Sequence, residues 1–504
     1  MFINQFAILW VFNTSGGVIM KVDFGGVEET VVTREEFTLE KSLSTLKDVP
    51  ISVLGYGSQG PGQSQNLRDN GFNVVVGQRE SYSKPGEEPT SWEKALKDSW
   101  EPGINLFSSL EEAADRGTII VNLLSDAGQK MTWPSLEKYV VPGKTLYFSH
   151  GFGIHFNEHT GIKPRDGVDV IMVAPKGAGL SVRGNFLNGS GINASYAVEK
   201  NFTGKALETT IAMGIGIGAG YLFETTFRNE VVSDHFGERA FLLGEVWALA
   251  EASYKSLRLK DDMPTADAFI HSSEQITQVI LPLIGRGGAA EVYRQAVEAG
   301  EFGTVLKYQT AVREATKPIL GELYKSVASG IEAKIALESN SDKNYRQKLN
   351  SELGDINKRE MWVTGKLVRE AGGDRTYGLR ITNWPLAGTI IGVPEAQYQT
   401  LIDNGHSPSE AFNETVEEAT QSLNQFYQQK GVSHLLGVCS TTAQRGSLDW
   451  GPKFREVLER QVFLAGERNY PIETFATLDY SSTRPNMWVV GDVVRSLRPE
   501  NLKK

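Results

Sequence analysis

Cysteine and surplus positive charge are both scarce in this sequence. Cys439 is the single cysteine among 504 residues, which excludes an internal disulfide and suits a reducing compartment. The formal net charge is -10 and no basic stripe stands out, which argues against a nucleic-acid partner. Apolar residues make up 40% and charged residues 22%, as in ordinary globular proteins, and the length allows two or three domains.

Charge is absent from the start of the chain, MFINQFAILWVFNTSGGVI. The apolar run from Phe6 to Phe12 is too short to span a bilayer, and the stretch lacks the basic residues of a secretory signal or transit peptide. We therefore expect residues 1–20 to be an unstructured leader, with Met20 as an alternative start and no membrane anchor. The location would be the cytoplasm in a bacterium, or a plastid or mitochondrion if the leader is a targeting segment.

Short β-branched runs alternate with helical segments from residue 51 onward. The runs ISVLG, FNVVVG, TIIVNLLS, TLYFSH and VDVIMVA are typical of buried strands, and GQSQNLRDNG and SLEEAADRG are typical of helices that end at glycine. Strand, helix and strand at this spacing predict a parallel, doubly wound α/β sheet of the Rossmann type.

The first of these strands runs into GYGSQG, a G-x-G-x-x-G motif. Its glycines permit a tight turn and let the backbone approach a pyrophosphate at the start of the next helix. The motif alone is a weak signal, but its place between a strand and a helix predicts dinucleotide binding. The predicted contacts are Gly55, Tyr56, Gly57, Ser58, Gln59 and Gly60.

The end of the second strand indicates which dinucleotide is bound. An NAD enzyme usually places an acidic residue there to hold the ribose hydroxyls. Here Arg79, Ser81 and Ser83 offer a guanidinium and two hydroxyls to a 2′-phosphate. Glu80 could instead be the ribose acid of an NAD site. We favour NADPH, with Glu80 turned outward.

Polar residues follow three later strands, at the edge where such sheets bind ligands. Asp126, His150 and Lys176 lie in SDAGQ, SHGFGIH and APKGAG. A lone histidine at a strand end is more often structural, but three polar side chains among glycines predict a crevice with polar groups directed into it. Gln129 and Gly179, in the segments of Asp126 and Lys176, complete the predicted cofactor contacts.

Two pairs of acidic residues stand four positions apart in the helical second half. Asp234 and Glu238 lie in SDHFGERAFLLGE, and Glu414 and Glu418 lie in NETVEEAT. Like charges at this spacing destabilise a helix by about 0.2–0.5 kcal/mol, so such pairs beside apolar positions favour a compensating hard cation such as magnesium. For either pair alone a solvated helix face is the better interpretation, and Glu417 is expected to be solvated.

The helical half also repeats itself. NETVEEATQSL, which begins at Asn413, matches IHSSEQITQVI, which begins at Ile270, 143 residues earlier. Related lead-ins, GHSPSEAF and DMPTADAF, precede the two copies. The earlier copy has His271 and Gln275 where the later copy has its carboxylate pair.

Further upstream an offset of 144 fits better, as for Gly244 and Gly388. On that register Gly378 and Thr382 stand where the earlier copy has its own carboxylate pair. Each copy therefore keeps one pair. Packed face to face, the copies predict one complete metal site and one vestigial site.

Long motifs in the chain resemble those of the ketol-acid reductoisomerases (acetohydroxyacid isomeroreductases), in the long form found in plants and some bacteria. They are GYGSQGPGQSQNLRDNG, SHGF, APKGAG, GINASYAV, SDHFGER, NETVEEATQSL and CSTTAQRGS, and the resemblance runs from about residue 20 to 500. It implies a Rossmann-type N-terminal domain and an all-α C-terminal domain of two related helical units that form a knot. The expected bounds are 21–225 for NADPH binding and 226–370 and 371–504 for the helical units.

The family's reaction, which the resemblance implies for this chain, has two steps. Two magnesium ions bind the ketone and hydroxyl oxygens of 2-acetolactate or 2-aceto-2-hydroxybutyrate while an alkyl group migrates between adjacent carbons. NADPH then reduces the new 2-keto group and gives a 2,3-dihydroxy acid on the valine, leucine and isoleucine pathways.

The resemblance also implies roles for the four carboxylates. Asp234 would bridge both magnesium ions and Glu238 would bind the first, with a further part in proton transfer through a metal-bound water. Glu414 and Glu418 would bind the second ion.

Three further residues match active-site positions of the family. His150 would orient water or shuttle a proton, and Lys176 would donate hydrogen bonds toward oxygens at the metal centre. Ser440 in CSTTA matches a serine that contacts the substrate carboxylate, although a helix N-cap fits its sequence equally well. The predicted phosphate loop matches the family's too, but it looks slightly shorter than in plant members and carries Glu80.

Two other functions stay open at this point. An NADP-dependent hydroxyacid dehydrogenase would share the glycine loop and the lysine but would need no four-carboxylate site. A non-catalytic dinucleotide sensor would be expected to lack the metal carboxylates and Lys176, all of which are present. A monomer would be competent, because the fused helical units complete the site, and homodimers and tetramers are compatible as well.

Overall fold

A computed structural model describes residues 8–12, 18–465 and 485–502 of the chain. The chain divides into two compact units. The strand unit comprises Met1–Asp23, Val27–Val231 and Val493–Lys504, and the helical unit comprises Phe24–Gly26 and Val232–Asp492. The division lies slightly later than the predicted boundary after residue 225, and it assigns the end of the predicted second helical unit to the strand unit.

The strand unit contains one sheet of eleven strands, which are ordered β1-β2-β3-β11-β10-β9-β8-β7-β4-β5-β6. In chain order these are β1 Ile8–Phe12, β2 Val18–Asp23, β3 Glu28–Thr33, β4 Ile51–Leu54, β5 Val74–Gly77, β6 Leu106–Phe107, β7 Ile119–Asn122, β8 Thr145–Phe148, β9 Asp169–Pro175, β10 Ala194–Lys200 and β11 Tyr221–Glu224.

The six strands from β4 to β9 are parallel, and the five predicted from the sequence lie among them. The chain proceeds outward from β4 through β5 to β6 and then returns to β7 on the other side of β4. Alternate residues of β7 enter two different cores, because Ile119 and Val121 pack in one and Ile120 in the other. Both faces of the sheet are therefore covered, and the reversal between β4 and β7 is where doubly wound sheets bind nucleotides.

The other five strands extend the sheet beyond β9 and were not predicted. β10 is antiparallel to β9 and parallel to β11, and β3, β2 and β1 follow with antiparallel pairing. Part of the expected leader belongs to this extension, since Ile8–Phe12 pairs with Val18–Asp23. The expectation of no regular structure is wrong for these residues, because the apolar, β-branched run completes a sheet edge. Residues 1–7 and 13–17 lie outside the described part.

In the described part of the chain, nine α-helices lie between the strands of the strand unit. They are α1 Leu39–Thr45, α2 Gly60–Asp69, α3 Ser91–Lys97, α4 Leu110–Arg116, α5 Asp126–Leu136, α6 Phe152–His155, α7 Asn157–Thr160, α8 Gly179–Leu187 and α9 Ala206–Gly216, with a 3₁₀ turn at Glu137–Tyr139. After β11 the helix α10, Phe227–Arg239, begins in this unit and ends in the helical one.

The rest of the described chain is helical. The α-helices are α11 Val246–Lys260, α12 Thr265–Phe269, α13 Leu281–Gly287, α14 Ala289–Ala299, α15 Phe302–Ala328, α16 Ile331–Asn340, α17 Tyr345–Asn357, α18 Glu360–Glu370, α19 Trp384–Asp403, α20 Pro408–Phe412, α21 Asn424–Lys430, α22 Val432–Gly437, α23 Thr441–Val457, α24 Met487–Ser496 and α25 Pro499–Leu502. Among the described helices, none combines the length and apolar character needed to cross a bilayer.

Several stretches of the helical unit have the wider π-helical turn, and one short turn is 3₁₀. The π-helical stretches are Phe241–Glu245, Ile270–Ile280, Asn413–Glu417, Ala419–Leu423 and Leu458–Phe463, and the 3₁₀ turn is Tyr377–Leu379.

The bounds of these elements recur at the spacing of the sequence repeat. α12 and α20 start and end 143 residues apart, and so do α13 and α21. The π-helical stretch Ile270–Ile280 corresponds to the two π-helical stretches between Asn413 and Leu423. Gly288 and Gly431, which follow α13 and α21, adopt the same unusual backbone conformation, with φ of 66° and 80°.

One carboxyl group in the helical unit is buried without an evident counter-charge. Glu245 has no exposed surface, and neither of its carboxyl oxygens has a hydrogen-bond partner among the described residues. Burial raises the pKa of Glu245 to about 8. The side chain is therefore protonated at neutral pH, because an unpaired buried charge would cost more than keeping the proton.

Glu245→Gln should flatten the pH dependence of stability between about pH 4.5 and 8. In this window the unfolded chain loses the proton that the folded chain keeps, so rising pH destabilises the wild type by roughly 3 kcal/mol at pH 7. Urea midpoints of the wild type and the variant at pH 5 and 7.5 test this, with exposed Glu88→Gln as the control. An equal change of the urea midpoint with pH in the wild type and in the variant would contradict this prediction.

Candidate functional site

The glycine-rich turn after β4 has the geometry that its motif predicts. Gly55 has φ of +98°, a conformation that favours glycine, and a Cβ on Gly60 would lie 2.2 Å from the Gly55 carbonyl oxygen. α2 begins at Gly60, and Gly57 and Ser58 are exposed at the turn. The turn therefore presents backbone to solvent at the start of a helix, as pyrophosphate binding requires.

The APKGAG loop packs directly on this turn. A Cβ on Gly179 would lie 1.8 Å from the Ser58 carbonyl oxygen, and one on Gly62 would lie 2.6 Å from that of Gly179. Gln59 donates a hydrogen bond to the Gly177 carbonyl oxygen at 2.9 Å. The predicted cofactor residues of the two loops therefore lie together.

Tyr56 differs from the other members of the predicted set. Its side chain is fully buried, donates to Asp98 at 2.8 Å and accepts from the Trp100 indole at 2.9 Å. Burial raises the pKa of the Tyr56 phenol. The side chain supports the turn from within the core, so that only the backbone of Tyr56 is left for a cofactor.

Asp126 and Gln129 lie on the first turn of α5, after β7. Asp126 is half-buried, and Ser125 caps the helix by accepting from the Gly128 N–H. Gln129 is buried and donates to the Leu124 carbonyl oxygen at 3.0 Å. Its amide therefore holds the loop between β7 and α5.

The predicted phosphate loop lies between β5 and α3. Arg79 and Ser81 are exposed, whereas the Ser83 hydroxyl donates to Glu93 at 3.1 Å. Glu93 also accepts from the Ser83 N–H and closes a capping box with Thr90 at the start of α3. These hydrogen bonds, with that of the Thr90 N–H largest, lower the pKa of Glu93.

Glu93 was not predicted as part of this loop. The sequence signal was the capping-box pattern TSWE, a Thr followed three residues later by Glu. Glu80 is exposed and accepts from the Tyr82 hydroxyl at 2.9 Å. The predicted phosphate site thus combines the guanidinium of Arg79 with the carboxylates of Glu80 in the loop and Glu93 on α3.

His150 and Lys176 are joined by a residue that sequence reasoning missed, Glu230. The Lys176 ammonium lies 3.3 Å from one oxygen of Glu230, and Nδ1 of His150 lies 3.1 Å from the other. The Gly151 N–H donates to the same carboxylate at 2.6 Å. Burial opposes ionisation of Glu230, but Lys176, His150 and the Gly151 N–H outweigh it and hold the pKa of Glu230 well below its usual range.

The arrangement keeps a lysine cation and a carboxylate together where water is excluded. Lys176 is 3% exposed and Glu230 is 1% exposed, so neither charge would be tolerated alone. The signal for Glu230 was its position four residues before Asp234, which makes three acids at helical spacing with Glu238.

The two carboxylate pairs of the helical unit also meet. Oxygen atoms of Asp234 on α10 and of Glu414 lie within 4.8 Å of each other. Glu414 is fully buried, and a Cβ on Gly237 would lie 2.8 Å from its carbonyl oxygen, so the backbones approach closely. Gln397 donates to the same carbonyl oxygen at 2.9 Å and fixes the contact.

Three of the four predicted metal ligands act electrostatically on the thiol of Cys439. Burial, followed by the negative charges of Glu238, Glu418 and Asp234, raises the pKa of the Cys439 thiol well above its usual value. These three carboxylates are therefore within electrostatic range of this thiol. Asp234 also approaches Glu414, so the four predicted ligands lie in one region of the helical unit, and their oxygens are the donor type that magnesium prefers.

Ser440 stands beside Cys439 and is exposed. Its hydroxyl oxygen accepts from the Ala443 N–H at 3.0 Å and caps α23. The capping role is thus confirmed, and because a hydroxyl that accepts one bond still has a proton to donate, the substrate contact stays a prediction.

The prediction for Glu417 is wrong. It was expected to be solvated, but its side chain is 3% exposed. The reason is that α20 and the following π-helical stretch are buried on all sides, so this segment has no solvent face.

The positions that correspond to the carboxylates in the other copy also come together. Nδ1 of His271 lies 2.7 Å from the Thr382 hydroxyl, and the Thr382 N–H donates to Gln275 at 3.0 Å. Gly378 lies in the 3₁₀ turn Tyr377–Leu379. Hydrogen bonds that involve no carboxylate therefore occupy this set of positions.

Two protein-family models match this chain. Residues 45–221 match the family model described as the NADPH-binding domain of acetohydroxy acid isomeroreductase. Residues 227–372 and 384–500 match the model of the ketol-acid reductoisomerase C-terminal domain.

Individual relatives cover much of the chain. A ketol-acid reductoisomerase (NAD(+)) of Desulfosudis oleivorans is 48% identical over 69% of this chain and 96% of its own length. A chloroplastic ketol-acid reductoisomerase of Pisum sativum is 32% identical over 92% of this chain and 80% of its own length.

Among solved structures, an NADH-preferring ketol-acid reductoisomerase from an uncultured archaeon is similar. It matches with a TM-score of 0.59 and 28% identity, over 68% of this chain and 99% of that one. The glycine turn, the Lys176–Glu230 pair and the carboxylate cluster thus occur in a chain that matches one family over both units, and the chain belongs to the ketol-acid reductoisomerases.

Proposed function

We propose that this chain converts 2-acetolactate or 2-aceto-2-hydroxybutyrate into the 2,3-dihydroxy acid by magnesium-dependent alkyl migration and reduction with a nicotinamide cofactor. The observation that carries the proposal is the approach of Asp234 and Glu414 to within 4.8 Å. A plain hydroxyacid dehydrogenase needs no such cluster, whereas alkyl migration builds negative charge on two neighbouring oxygens and needs paired cations.

The four carboxylates fit two magnesium ions by charge and by donor type. Two divalent cations would balance the four negative charges of Asp234, Glu238, Glu414 and Glu418, and magnesium prefers carboxylate oxygens. When bound, the ions would supply Lewis-acid stabilisation of the developing charge. Glu414 is fully buried, so its charge depends on such a partner more than that of half-buried Glu238.

The chain's own residues would handle the protons. Glu238 would accept the proton of the substrate hydroxyl as the alkyl group leaves that carbon for the neighbouring carbonyl carbon. Lys176, held by Glu230 at 3.3 Å, would donate a hydrogen bond to the oxygen that gains negative charge. His150 presents Nδ1 to Glu230, and its imidazole would exchange a proton with solvent or substrate.

For the cofactor we propose that NADPH is accepted through Arg79 and Ser81, with limited preference over NADH. Both residues are exposed on the loop after β5. The Ser83 hydroxyl is already engaged by Glu93, so it is less available to a phosphate than the sequence suggested. Relatives named for NAD(+) and for NADP(+) both occur, which is compatible with a loop of mixed charge.

We also propose that the helical unit arose by duplication and follows the knotted path that the family resemblance implies. The recurrence of helix bounds at a spacing of 143 residues supports the duplication. The hydrogen-bonded set of His271, Gln275 and Thr382 would then be the vestigial counterpart of the metal site. One chain would thus carry one complete centre.

Glu414→Gln should abolish magnesium-dependent turnover. The change keeps the shape of the side chain but removes one buried negative charge, and we expect a loss of at least about 100-fold in NADPH oxidation with 2-acetolactate. His271→Gln, at the corresponding position of the other copy, should leave the rate unchanged. Turnover that resists both a chelator and Glu414→Gln would contradict the proposal.

Arg79→Gln should weaken NADPH without affecting NADH. Loss of a charge-assisted contact to the 2′-phosphate costs about 1.5–3 kcal/mol, so the KM for NADPH should rise by about tenfold or more. Glu93→Gln retains the cap at α3 but removes a negative charge, and it should shift preference toward NADPH. An equal loss with both cofactors in Arg79→Gln would show that Arg79 does not read the phosphate.

A further inference from the structure

A buried chain of hydrogen bonds in the helical unit has no part in the chemistry proposed so far. Tyr324 on α15 has its hydroxyl 2.9 Å from Nε2 of His406, and Nδ1 of His406 lies 3.0 Å from a carboxylate oxygen of Glu410. The three residues are 5%, 4% and 1% exposed, so water does not compete for these bonds. A tyrosine hydroxyl that donates to Nε2 and an Nδ1–H that donates to Glu410 satisfy both ring nitrogens.

Both ends of this hydrogen-bonded set of residues lead to helical segments that carry the carboxylate cluster. Glu410 lies one turn before Glu414, at the start of the same buried segment. The ring of Tyr324 packs edge-on against Phe236, with ring centroids 5.5 Å apart. Phe236 stands between Asp234 and Glu238 on α10. The hydrogen bonds and this ring contact together connect the element of one carboxylate pair to that of the other.

The direction of the Glu410 side chain is informative. Ser407 caps α20 and accepts from the Glu410 N–H, as in a capping box. The Glu410 carboxylate is nevertheless bonded to His406, immediately before the cap. The side chain thus ties the start of α20 to α15 through a histidine.

The repeat provides an internal comparison. The positions 143 residues before His406 and Glu410 are occupied by Met263 and Asp267, and Asp267 is exposed. The copy that has no Glu414 and Glu418 equivalents therefore has no such histidine–glutamate pair either. The pair occurs only in the copy that carries Glu414 and Glu418.

We infer that Tyr324, His406 and Glu410 are positioning residues that fix the distance between the two carboxylate pairs and thereby set the affinity for the divalent cations. The inference rests on the proposed function, because it assumes that the carboxylates bind metal. Buried hydrogen bonds suit this role, because they hold α20 against α15, and α15 in turn contacts α10 through the rings of Tyr324 and Phe236.

The test is Mn²⁺ binding to the full-length, chelator-stripped protein, measured from the electron paramagnetic resonance signal of free Mn²⁺. Tyr324→Phe keeps the ring on Phe236 but removes the hydroxyl, and we expect Mn²⁺ affinity to fall by about tenfold, the lower range for loss of an outer partner of a metal site. The matched control is Tyr293→Phe, which removes a buried hydroxyl bonded to Gln309 at 2.9 Å and should leave affinity unchanged.

Glu410→Gln provides a second reading that does not depend on Tyr324. Its amide oxygen still accepts the Nδ1–H bond, so positioning by hydrogen bonding predicts Mn²⁺ affinity close to that of the wild type. Unchanged affinity in Tyr324→Phe, equal losses in both tyrosine variants, or a large loss in Glu410→Gln would each overturn the inference. Failure of the wild type itself to bind Mn²⁺ would instead refute the proposed metal site.

Discussion

Repulsion between carboxylates inside a helical unit is the constraint on which the rest of the site depends. Two unit charges 4.8 Å apart, the upper distance between Asp234 and Glu414 oxygens, repel by about 3 kcal/mol at an effective dielectric constant near 20. The fold nevertheless enforces the contact, because Gly237 has no Cβ to separate α10 from the Glu414 backbone. Binding of a cation would offset this repulsion between the carboxylates.

The positions that correspond to the four carboxylates show a different arrangement. There His271 and Gln275 of one copy are hydrogen-bonded to Thr382 of the other. The stretch that carries His271 is π-helical throughout, as is most of the stretch that carries Glu414. The wide helical turn is therefore a property of the repeated fold, and carboxylates are not its cause. In the strand unit the buried carboxylate of Glu230 is instead stabilised by the lysine and the histidine beside it.

The parts of the molecule that depend on a few neighbouring residues could be predicted from the sequence. Five buried strands, the glycine turn and both carboxylate pairs were readable because each depends on a short run of residues. The strands β1 to β3 were not, because β3 joins the sheet by pairing with β11, far along the chain, and β2 and β1 follow from β3. Glu230, Glu93 and the burial of Glu417 were missed for the same reason, since each depends on partners or coverings from other elements, although the spacing of Glu230 to Asp234 was a usable signal.

We propose that one chain holds one complete centre of two cations in its helical unit. Equilibrium dialysis of the chelator-stripped protein against Mn²⁺, with the bound metal counted by atomic absorption, is the decisive measurement. We expect two ions per chain in the wild type and fewer after Asp234→Asn, because this change removes one of the four negative charges that would hold the ions. No bound ion, four ions per chain, or two ions that persist in Asp234→Asn would contradict it.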